Sequence, residues 1–494
     1  MRYLSTRDHQ LRFTAAEAIK QGLSRDGGLF LPEQIPVLTA QQRKAMETMT
    51  YQERAVEVMR LFLEDYSREE LASFAAAAYG PDCFDSAAVA PVHTTDDATH
   101  FLELWHGPTS AFKDMALQML PHLLSASLKK TGEDKTACIL VATSGDTGKA
   151  ALEGFKDVDH TRIMVFYPKD GVSAIQKLQM ATQEGGNVGV CSVVGNFDDA
   201  QTGVKQIFSD EALRAQLLQR GYFLSSANSI NWGRLLPQIV YYVSVYCDLV
   251  RDGKLKEGEK LNICVPTGNF GNILSAYYAK CMGVPVGKLI CASNQNDVLT
   301  EFLRTGVYDR NRTFYTTMSP SMDILISSNL ERLLYMLSGS DAEVRGYMEQ
   351  LNTTGRYQVS DTILEKVRGL FWAGSCGEDS TLETIHRYYT EKKYLIDPHT
   401  AVAANVLEQY RAVSGDNGPA VIASTASPYK FCNNVLRAIG AECGGDGVEL
   451  IGRLQEATGV KAPWRLAALG DKKIRFTQST EKTAMKQVVL DYLK

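Results

Sequence analysis

Residues 135–155, KTACILVATSGDTGKAALEGF, predict a strand, a turn rich in glycine, serine and threonine, and then a helix. Three further stretches repeat this pattern: TRIMVFYPKDGVSAIQKLQM (161–180), NVGVCSVVGNFDDAQTGVKQIF (187–208) and KLNICVPTGNFGNILSAYYAKCMG (260–283). Short apolar strands that alternate with helices are typical of a parallel sheet covered on both faces. The chain is therefore predicted to be an α/β protein that binds its ligand at the loops following the strands.

The rest of the chain divides into regions of different character. Residues 1–95 are expected to form a mostly helical N-terminal domain, because stretches such as REELASFAAAAYG (68–80) have helical spacing of apolar residues. The α/β core is expected to have two sub-domains. Its predicted bounds are 96–305 and 395–440, with a helical insertion or lid at 306–394 and a C-terminal extension at 441–494.

Composition restricts the class of protein. The chain has 494 residues, a net charge of -5, 45% hydrophobic residues and 22% charged residues. These values fit a soluble globular protein of two or three domains, and they do not indicate a nucleic-acid-binding face. No apolar run approaches the roughly 20 residues of a membrane helix, and the N-terminus shows no signal-peptide core. Single, scattered cysteines suit the reducing cytosol, so we expect a cytoplasmic enzyme or binding protein.

Two glycine-containing turns could bind an anion. PTGNFGN (266–272) follows a strand and precedes a helix, so its backbone amides could hold a phosphate, although a plain strand–helix turn is the simpler interpretation. It matches neither GxGxxG nor GxxxxGK[ST], which disfavours a dinucleotide or a nucleoside triphosphate. TSGDTG (143–148) could take a carboxylate or a phosphate, but Asp146 could equally serve only as a helix N-cap.

Two polar segments extend this set of candidates. SANSINWGRLLPQ (226–238) places Asn228, Ser229, Asn231 and Arg234 at the start of a helix, whereas STASP (424–428) follows an apolar strand. A single arginine is usually a solvated surface residue, and hydroxyls after a strand can simply satisfy backbone groups.

One lysine stands out in LWHGPTSAFKDMALQML (104–120). Lys113 lies between Phe112 and Asp114, at the start of an apolar helix. In a buried cleft the neutral form of a lysine amine is favoured, and the neutral amine can condense with an aldehyde. Taken alone, Lys113 is better explained as a surface lysine. The histidines show no HExxH or similar spacing, so no metal is expected.

Several motifs together resemble the threonine synthases, pyridoxal-phosphate enzymes of fold type II. These are HGPTSAFKD, ATSGDTG, SANSINWGRL, VPTGNFGN and STASPYKF, in this order, after a leader with YLSTRD and FTAAEAIKQGLSRDGGLFLPE. The resemblance covers nearly the whole chain and implies a three-layer core with a parallel sheet. Its length is similar to the branch with an enlarged C-terminal region. Ser110 departs from the leucine expected in the lysine motif.

The resemblance also implies roles for residues. Lys113 would hold pyridoxal 5'-phosphate as a Schiff base, with Phe112 nearby and Thr425 facing the pyridine nitrogen. The cofactor phosphate would lie among Gly268, Asn269, Phe270, Gly271 and Asn272. The carboxylate and phosphate of the substrate would be bound by Thr143, Ser144, Asp146, Thr147, Asn228, Ser229, Asn231 and Arg234, in a division that the motifs leave open.

The implied reaction converts O-phospho-L-homoserine and water into L-threonine and phosphate. Two alternatives remain: an enzyme of the same group that eliminates or replaces at the β-carbon of serine or threonine, and a binding or signalling protein that kept the fold without the activity. The expected partners are the small-molecule substrate and, at most, further copies in a small homo-oligomer. No nucleic acid, membrane or metal is expected.

Overall fold

The computed structural model describes residues 1–169, 172–445 and 447–494. The N-terminal region combines short strands with helices. Its elements are β1 (Tyr3–Ser5), β2 (Asp8–Phe13), α1 (Ala15–Gln21), β3 (Phe30–Pro32), α2 (Ala40–Met46), α3 (Tyr51–Met59), α4 (Arg68–Ala78) and β4 (Val92–Asp96). Each of these helices follows a threonine or serine that forms a reciprocal capping box with a glutamate or glutamine three residues later. These caps explain where the helices begin.

The next part of the chain alternates between strands and helices. Its elements are β5 (Thr99–Glu103), α5 (Asp114–Leu117), α6 (Leu120–Lys130), β6 (Thr136–Ala142), α7 (Asp146–Phe155), β7 (Thr161–Pro168), α8 (Ala174–Ala181), β8 (Val188–Val194), α9 (Phe197–Ser209), α10 (Glu211–Gln219), β9 (Tyr222–Ser225), α11 (Trp232–Arg251), β10 (Leu261–Pro266), α12 (Gly271–Cys281), β11 (Val286–Ser293) and α13 (Val298–Thr305).

The last part is richer in helices. Its elements are β12 (Val307–Asp309), α14 (Leu330–Ser338), α15 (Asp341–Thr354), β13 (Arg356–Gln358), α16 (Asp361–Leu370), β14 (Phe371–Ser375), α17 (Glu378–Glu391), α18 (Pro398–Ser414), β15 (Ala420–Ser424), α19 (Cys432–Ala438), α20 (Glu449–Thr458), α21 (Trp464–Ala467), β16 (Ser479–Glu481) and α22 (Met485–Tyr492), with short 3-10 turns at Pro320–Met322, Pro428–Phe431, Ala468–Asp471 and Lys482–Ala484. Within the described ranges, no helix has the length and hydropathy needed to cross a membrane.

Two large sheets form the core. One has six strands in the order β14-β11-β10-β15-β5-β4, and only its β4–β5 pair is antiparallel. The other has five strands in the order β16-β8-β7-β6-β9 and is parallel throughout. Strands such as β10 are buried along their whole length, as expected when helices cover both faces of a parallel sheet. The predicted α/β fold with parallel sheets is confirmed.

The structure adds three features to the predicted regions. The leader contains an antiparallel sheet, β2-β1-β3, which the prediction lacked because strands of three to six residues leave little periodicity to read. Residues 306–394 contain helices α14–α17, and they also supply β14 to the edge of the six-stranded sheet. The C-terminal extension likewise supplies β16, which pairs with β8.

The sheet order brings the predicted functional loops together. In the six-stranded sheet β10, β15 and β5 are neighbours, and their carboxyl ends lead to loop 267–270, to Thr425 and to the loop carrying Lys113. In the five-stranded sheet β6 and β9 are neighbours, and they lead to turn 143–145 and to loop 226–231. The largely buried helix α11 packs against α12, α5 and α3, which joins the core to the leader.

Candidate active site

The loop that carries Lys113 is tied down on both sides of the lysine. The backbone N–H of Phe112 donates to the carbonyl of Thr425, at 2.8 Å, which fixes the loop to the end of β15. The buried carboxylate of Asp114 accepts hydrogen bonds from the backbone N–H and the hydroxyl of Thr109, at 2.8 and 2.7 Å. These bonds fold the loop so that Lys113 is the residue immediately before α5.

The Lys113 amine lies in a buried, charged environment. Its Nζ donates to Ser321 Oγ at 3.0 Å and lies 3.6 Å from Asp146 Oδ2. Burial is the main reason why the pKa of Lys113 falls to about 8. Asp146 opposes this fall, whereas the positive charges of Arg234 and Lys430 add to it. A substantial fraction of the amine is therefore neutral, and nucleophilic, near pH 8.

Asp146 is held as a carboxylate by a second buried lysine. Lys430 Nζ lies 2.6 Å from Asp146 Oδ1, and Gln176 Nε2 donates to the same oxygen at 2.7 Å. Burial alone would raise the pKa of Asp146, but the charges of Lys430 and Lys113 hold it well below its usual range. The N-cap position of α7 belongs to Gly145, and the Asp146 side chain makes its contacts with the two lysines instead.

The turn between β10 and α12 has the geometry of an anion-binding loop. Phe270 has a left-handed backbone, with φ at +61°, which is strained for a residue other than glycine. A Cβ added to Gly268 would lie 2.5 Å from the carbonyl oxygen of Ser321, so the close approach of the two segments requires glycine. The backbone amides of the loop lie at the N-terminus of α12, where a negatively charged ligand group is favoured.

Asn272 offers an unused donor in this loop. Its Oδ1 accepts hydrogen bonds from the hydroxyls of Tyr241 and Tyr242, at 2.7 and 2.6 Å. This leaves Nδ2 pointing away from the tyrosines, buried and without a hydrogen-bond partner among the described residues. A buried donor without a partner is unfavourable, so the site is built for a ligand that carries an acceptor.

A single pocket joins these features. Lys113 and the predicted phosphate loop contribute to the same lining. The predicted residues that line it are Phe112, Lys113, Thr147, Ser229, Arg234, Gly268, Asn269, Phe270, Gly271, Asn272 and Thr425. An amine and an amide-rich loop in one pocket fit a ligand that has an aldehyde and a phosphate.

Arg234 supplies a buried positive charge to the pocket. Its Nη1 donates to the carbonyl of Ala227 at 2.9 Å, and no acidic side chain of the described residues forms an ion pair with it. Burial lowers the pKa of the guanidinium to about 10, so Arg234 stays charged at neutral pH. A buried cation without a carboxylate partner fits an anionic ligand.

The other predicted substrate residues lie around the pocket without lining it. Thr143 is buried, and its Oγ1 accepts from two backbone amides of its own turn. Asn231 caps α11 and also donates to the carbonyl of Ile19 in the leader, at 3.0 Å. Ser144 and Asn228 are half-buried, and Asp146 touches Lys113 behind the pocket wall. Their roles toward a substrate stay predictions.

Several residues at the site were absent from the prediction, among them Ser321, His399 and Lys430. Ser321, in the 3-10 turn Pro320–Met322, contacts the Lys113 amine, His399 lines the same pocket, and Lys430 pairs with Asp146. The assignment of 306–394 to a separate insertion concealed Ser321. The segment DPHT (397–400) carried a usable signal for a helix start, because an aspartate followed by proline is typical of one.

Comparisons with known families cover most of the chain. The model for the threonine synthase N terminus matches residues 2–79, and the model for pyridoxal-phosphate-dependent enzymes matches residues 97–425. The model for the threonine synthase C-terminal region matches residues 400–489.

Individual relatives agree with this assignment. Threonine synthase-like 1 of Homo sapiens is 41% identical over 435 residues, which are 86% of this chain and 58% of that relative, so the chain spans little more than half of the relative's length. The threonine synthase of Saccharomyces cerevisiae is 38% identical over 466 residues, which are 88% of this chain and 89% of that relative.

Solved structures show the same fold and the same cofactor class. A pyridoxal-phosphate-bound threonine synthase from Brucella melitensis superposes with a TM-score of 0.88 at 36% identity, covering 100% of both chains. The yeast threonine synthase gives a TM-score of 0.89 at 34% identity, covering 100% of this chain and 98% of that one. The cofactor is pyridoxal phosphate, which fits the lysine, the loop and the unused amide donor described above. The chain belongs to the threonine synthase family of pyridoxal-phosphate-dependent enzymes.

Proposed function

We propose that the protein converts O-phospho-L-homoserine and water into L-threonine and phosphate, the last step of threonine biosynthesis. The observation that carries the proposal is that one pocket holds the Lys113 amine, the loop before α12 and the guanidinium of Arg234. A cofactor phosphate in the loop leaves Arg234 free for a second anion. A substrate with both a carboxylate and a phosphate uses this second site, whereas serine and threonine have no phosphate to place there.

Residues of this chain hold the cofactor and orient the substrate. Pyridoxal phosphate, when bound, stabilises negative charge on the carbons near the substrate amine. Lys113 is the residue that we assign to its covalent attachment, and Thr425 the one that we place at its pyridine nitrogen. The residues assigned to its phosphate and ring are Phe112, Gly268, Asn269, Phe270, Gly271 and Asn272.

Lys113 is the proposed proton carrier. Its neutral Nζ accepts the proton of the substrate α-carbon, and Ser321 Oγ and the Asp146 carboxylate stabilise the ammonium that results. Loss of a β-proton accompanies the breaking of the bond between the γ-carbon and the phosphate oxygen. The γ-carbon is then protonated, water forms the new carbon–oxygen bond at the β-carbon, and the α-carbon regains a proton. The protons balance, because the α-carbon, the β-carbon and the attacking water each give one up, and the departing phosphate, the γ-carbon and the α-carbon each take one up.

Arg234 is the proposed binding residue for the departing phosphate. A buried guanidinium can bind phosphate with two parallel hydrogen bonds, and this contact is stronger in a site from which water is excluded. Holding the leaving group also keeps the scissile bond in a fixed orientation. We assign the remaining substrate oxygens to Ser229 and Thr147, which line the same pocket.

A substrate comparison tests the proposal. Purified protein loaded with pyridoxal phosphate is mixed with O-phospho-L-homoserine, L-serine or L-threonine, and phosphate, threonine and 2-oxoacid are measured. We expect equal amounts of phosphate and threonine from the first substrate and little product from the others. Release of 2-oxoacid from serine or threonine, without turnover of phosphohomoserine, would instead favour a β-eliminating enzyme.

A further inference from the structure

The 3-10 turn Pro320–Met322 contacts both halves of the pocket. Ser321 Oγ accepts a hydrogen bond from Lys113 Nζ at 3.0 Å and donates to Asp146 Oδ2 at 3.3 Å. The direct distance from Lys113 Nζ to the same Asp146 oxygen is 3.6 Å, which is too long for a hydrogen bond. The hydroxyl therefore connects the amine to the carboxylate.

A buried histidine fixes the backbone of this turn. The backbone N–H of Ser321 donates to His399 Nε2 at 3.2 Å. The opposite ring nitrogen, Nδ1, lies 2.6 Å from Asp397 Oδ2. Because Nε2 accepts a hydrogen bond, it carries no proton, so the ring is neutral and Nδ1–H donates to Asp397. Both side chains are almost fully buried.

Asp397 is itself held in place. It caps α18, where its carboxylate accepts the backbone N–H groups of His399, at 2.9 Å, and of Thr400, at 3.1 Å. The far side of the turn is anchored independently by the carboxylate of Asp323, which accepts bonds from Asn294 and from the backbone of Thr317. Loss of the histidine therefore leaves the turn attached through Asp323, and it removes the bonds of the ring to Ser321 and Asp397 and its contact with Phe431.

The ring of His399 has no nitrogen left for proton transfer. Nδ1 donates to Asp397, and Nε2 accepts from the Ser321 backbone. The charged groups that face the Lys113 amine are Asp146, Arg234 and Lys430. A histidine with both nitrogens engaged acts by holding a neighbour in position.

We propose that Ser321 is a further catalytic residue, whose hydroxyl aims the Lys113 amine and links it to Asp146, and that Asp397 and His399 are positioning residues for Ser321. This inference rests on the role assigned to Lys113 in the proposed function. It concerns the attachment of pyridoxal phosphate as much as the later proton transfers, because both need the amine in one orientation.

To test this inference, the rate at which cofactor-free protein binds pyridoxal phosphate covalently is measured by visible absorbance between pH 6 and pH 10. Ser321→Ala removes the hydroxyl and keeps the backbone N–H, whereas Ser321→Thr keeps both. His399→Ala removes the acceptor, and His399→Gln restores an acceptor near the Nε2 position. We expect capture at pH 8 to slow about tenfold in Ser321→Ala, the effect of one lost hydrogen bond to a charged group, and by less in His399→Ala, which loses a bond between uncharged groups. Capture should recover in the threonine and glutamine variants.

The pH profile of the capture rate distinguishes a change in the position of the Lys113 amine from a general loss of folded protein. Without the Ser321 hydroxyl the ammonium form of Lys113 loses an acceptor, so the midpoint of the profile is expected to move to lower pH in Ser321→Ala, and by less in His399→Ala. Wild-type rates and an unmoved midpoint in Ser321→Ala would overturn the inference. So would a His399→Ala protein that is only less heat-stable. Normal capture in the wild type without turnover of phosphohomoserine would reject the proposed function and leave this inference standing.

Discussion

The reactivity of Lys113 depends on a balance between burial and charge. Burial favours the neutral amine and Asp146 favours the ammonium, and the resulting pKa is about 8. Raising the pH through this value deprotonates the amine, and only the neutral amine attacks an aldehyde. We therefore expect the rate of pyridoxal phosphate capture by cofactor-free protein to rise about tenfold per pH unit below pH 8 and to level off above it.

This prediction is measured by stopped-flow absorbance, with Lys113→Ala as the control that forms no covalent adduct. A rate that keeps rising up to pH 10 would show that the amine has the pKa of an ordinary exposed lysine. In that case the burial of Lys113 has no effect on its chemistry.

Asp146 is expected to be a stability determinant as well as an active-site residue. Asp146→Asn leaves the fully buried Lys430 without its carboxylate, and an unpaired buried charge typically costs about 3–5 kcal/mol of unfolding free energy. Because the pKa of Asp146 is held low, its contribution is present at neutral pH and is lost as the pH falls below the normal aspartate range. Urea unfolding at pH 7 and at acidic pH measures both effects.

The matched control is Asp134→Asn, since Asp134 pairs with Lys135 on the surface and its side chain is 88% exposed. Exposed pairs contribute little, so we expect no measurable change in the unfolding free energy. The double variant Asp146→Asn with Lys430→Met removes both charges and should recover part of the loss. If Asp146→Asn is as stable as the control, the buried ion pair does not stabilise the fold.

The sequence singled out Lys113 but not the residues that contact it. Lys113 and the glycine loop were recognisable because their motifs are contiguous. Ser321 contacts Lys113 across 208 residues of sequence, and Lys430 contacts Thr109 across 321. No local pattern links residues so far apart, so only the fold shows that they meet.

At the scale of elements, the loop before α12 combines a strained residue with a close approach between two segments. A Cβ at Gly268 would meet the Ser321 carbonyl at 2.5 Å, and the neighbouring backbone must move to make room. We expect Gly268→Ala to weaken pyridoxal phosphate binding by about ten- to a hundredfold, because the amides of the loop and the Ser321 turn shift together. Fluorescence titration of cofactor-free protein measures the affinity.

Gly346→Ala is the matched control. Gly346 lies in α15, and a Cβ there would have no atom within 4 Å. Alanine in a helix interior should stabilise the protein by about 0.5–1 kcal/mol and leave cofactor affinity as it is. Equal affinities for the two variants would mean that the close approach at Gly268 does not matter for binding.

Helices and strands were predictable where they were long enough for the spacing of their apolar residues to show. The units β6–α7, β7–α8, β8–α9 and β10–α12 match the predicted alternation. The strands β1, β3 and β16 have three residues each and were missed. β14 directly follows α16, and it becomes a strand of the core only by pairing with β11, so nothing local distinguished it from the helical region.

At the scale of the whole molecule, one buried arginine joins the leader to the functional loops. Arg332, on α14, donates to the carbonyl of Phe30 in the leader at 2.8 Å. It also donates to the backbone carbonyl of Ile230 and to the side-chain oxygen Oδ1 of Asn329. Asn329 in turn donates to the carbonyl of Asn269 in the anion-binding loop, at 3.0 Å. The leader, loop 226–231 and loop 267–270 are thus connected through a single guanidinium.

This connection predicts a coupled loss of stability and cofactor affinity in Arg332→Met. The variant fills a similar volume but leaves three acceptors, two of them buried, without their donor, which should lower the unfolding free energy by about 2–4 kcal/mol. Because Asn329 loses its anchor, pyridoxal phosphate should bind several-fold more weakly, and proteases should cleave the leader faster.

The control is Arg345→Met, since Arg345 also contacts the leader, at the carbonyl of Arg7, but its side chain is half exposed. That variant should lose less than about 1 kcal/mol and keep its affinity. A destabilised Arg332→Met protein with unchanged affinity would show that the leader and the cofactor loop are energetically independent.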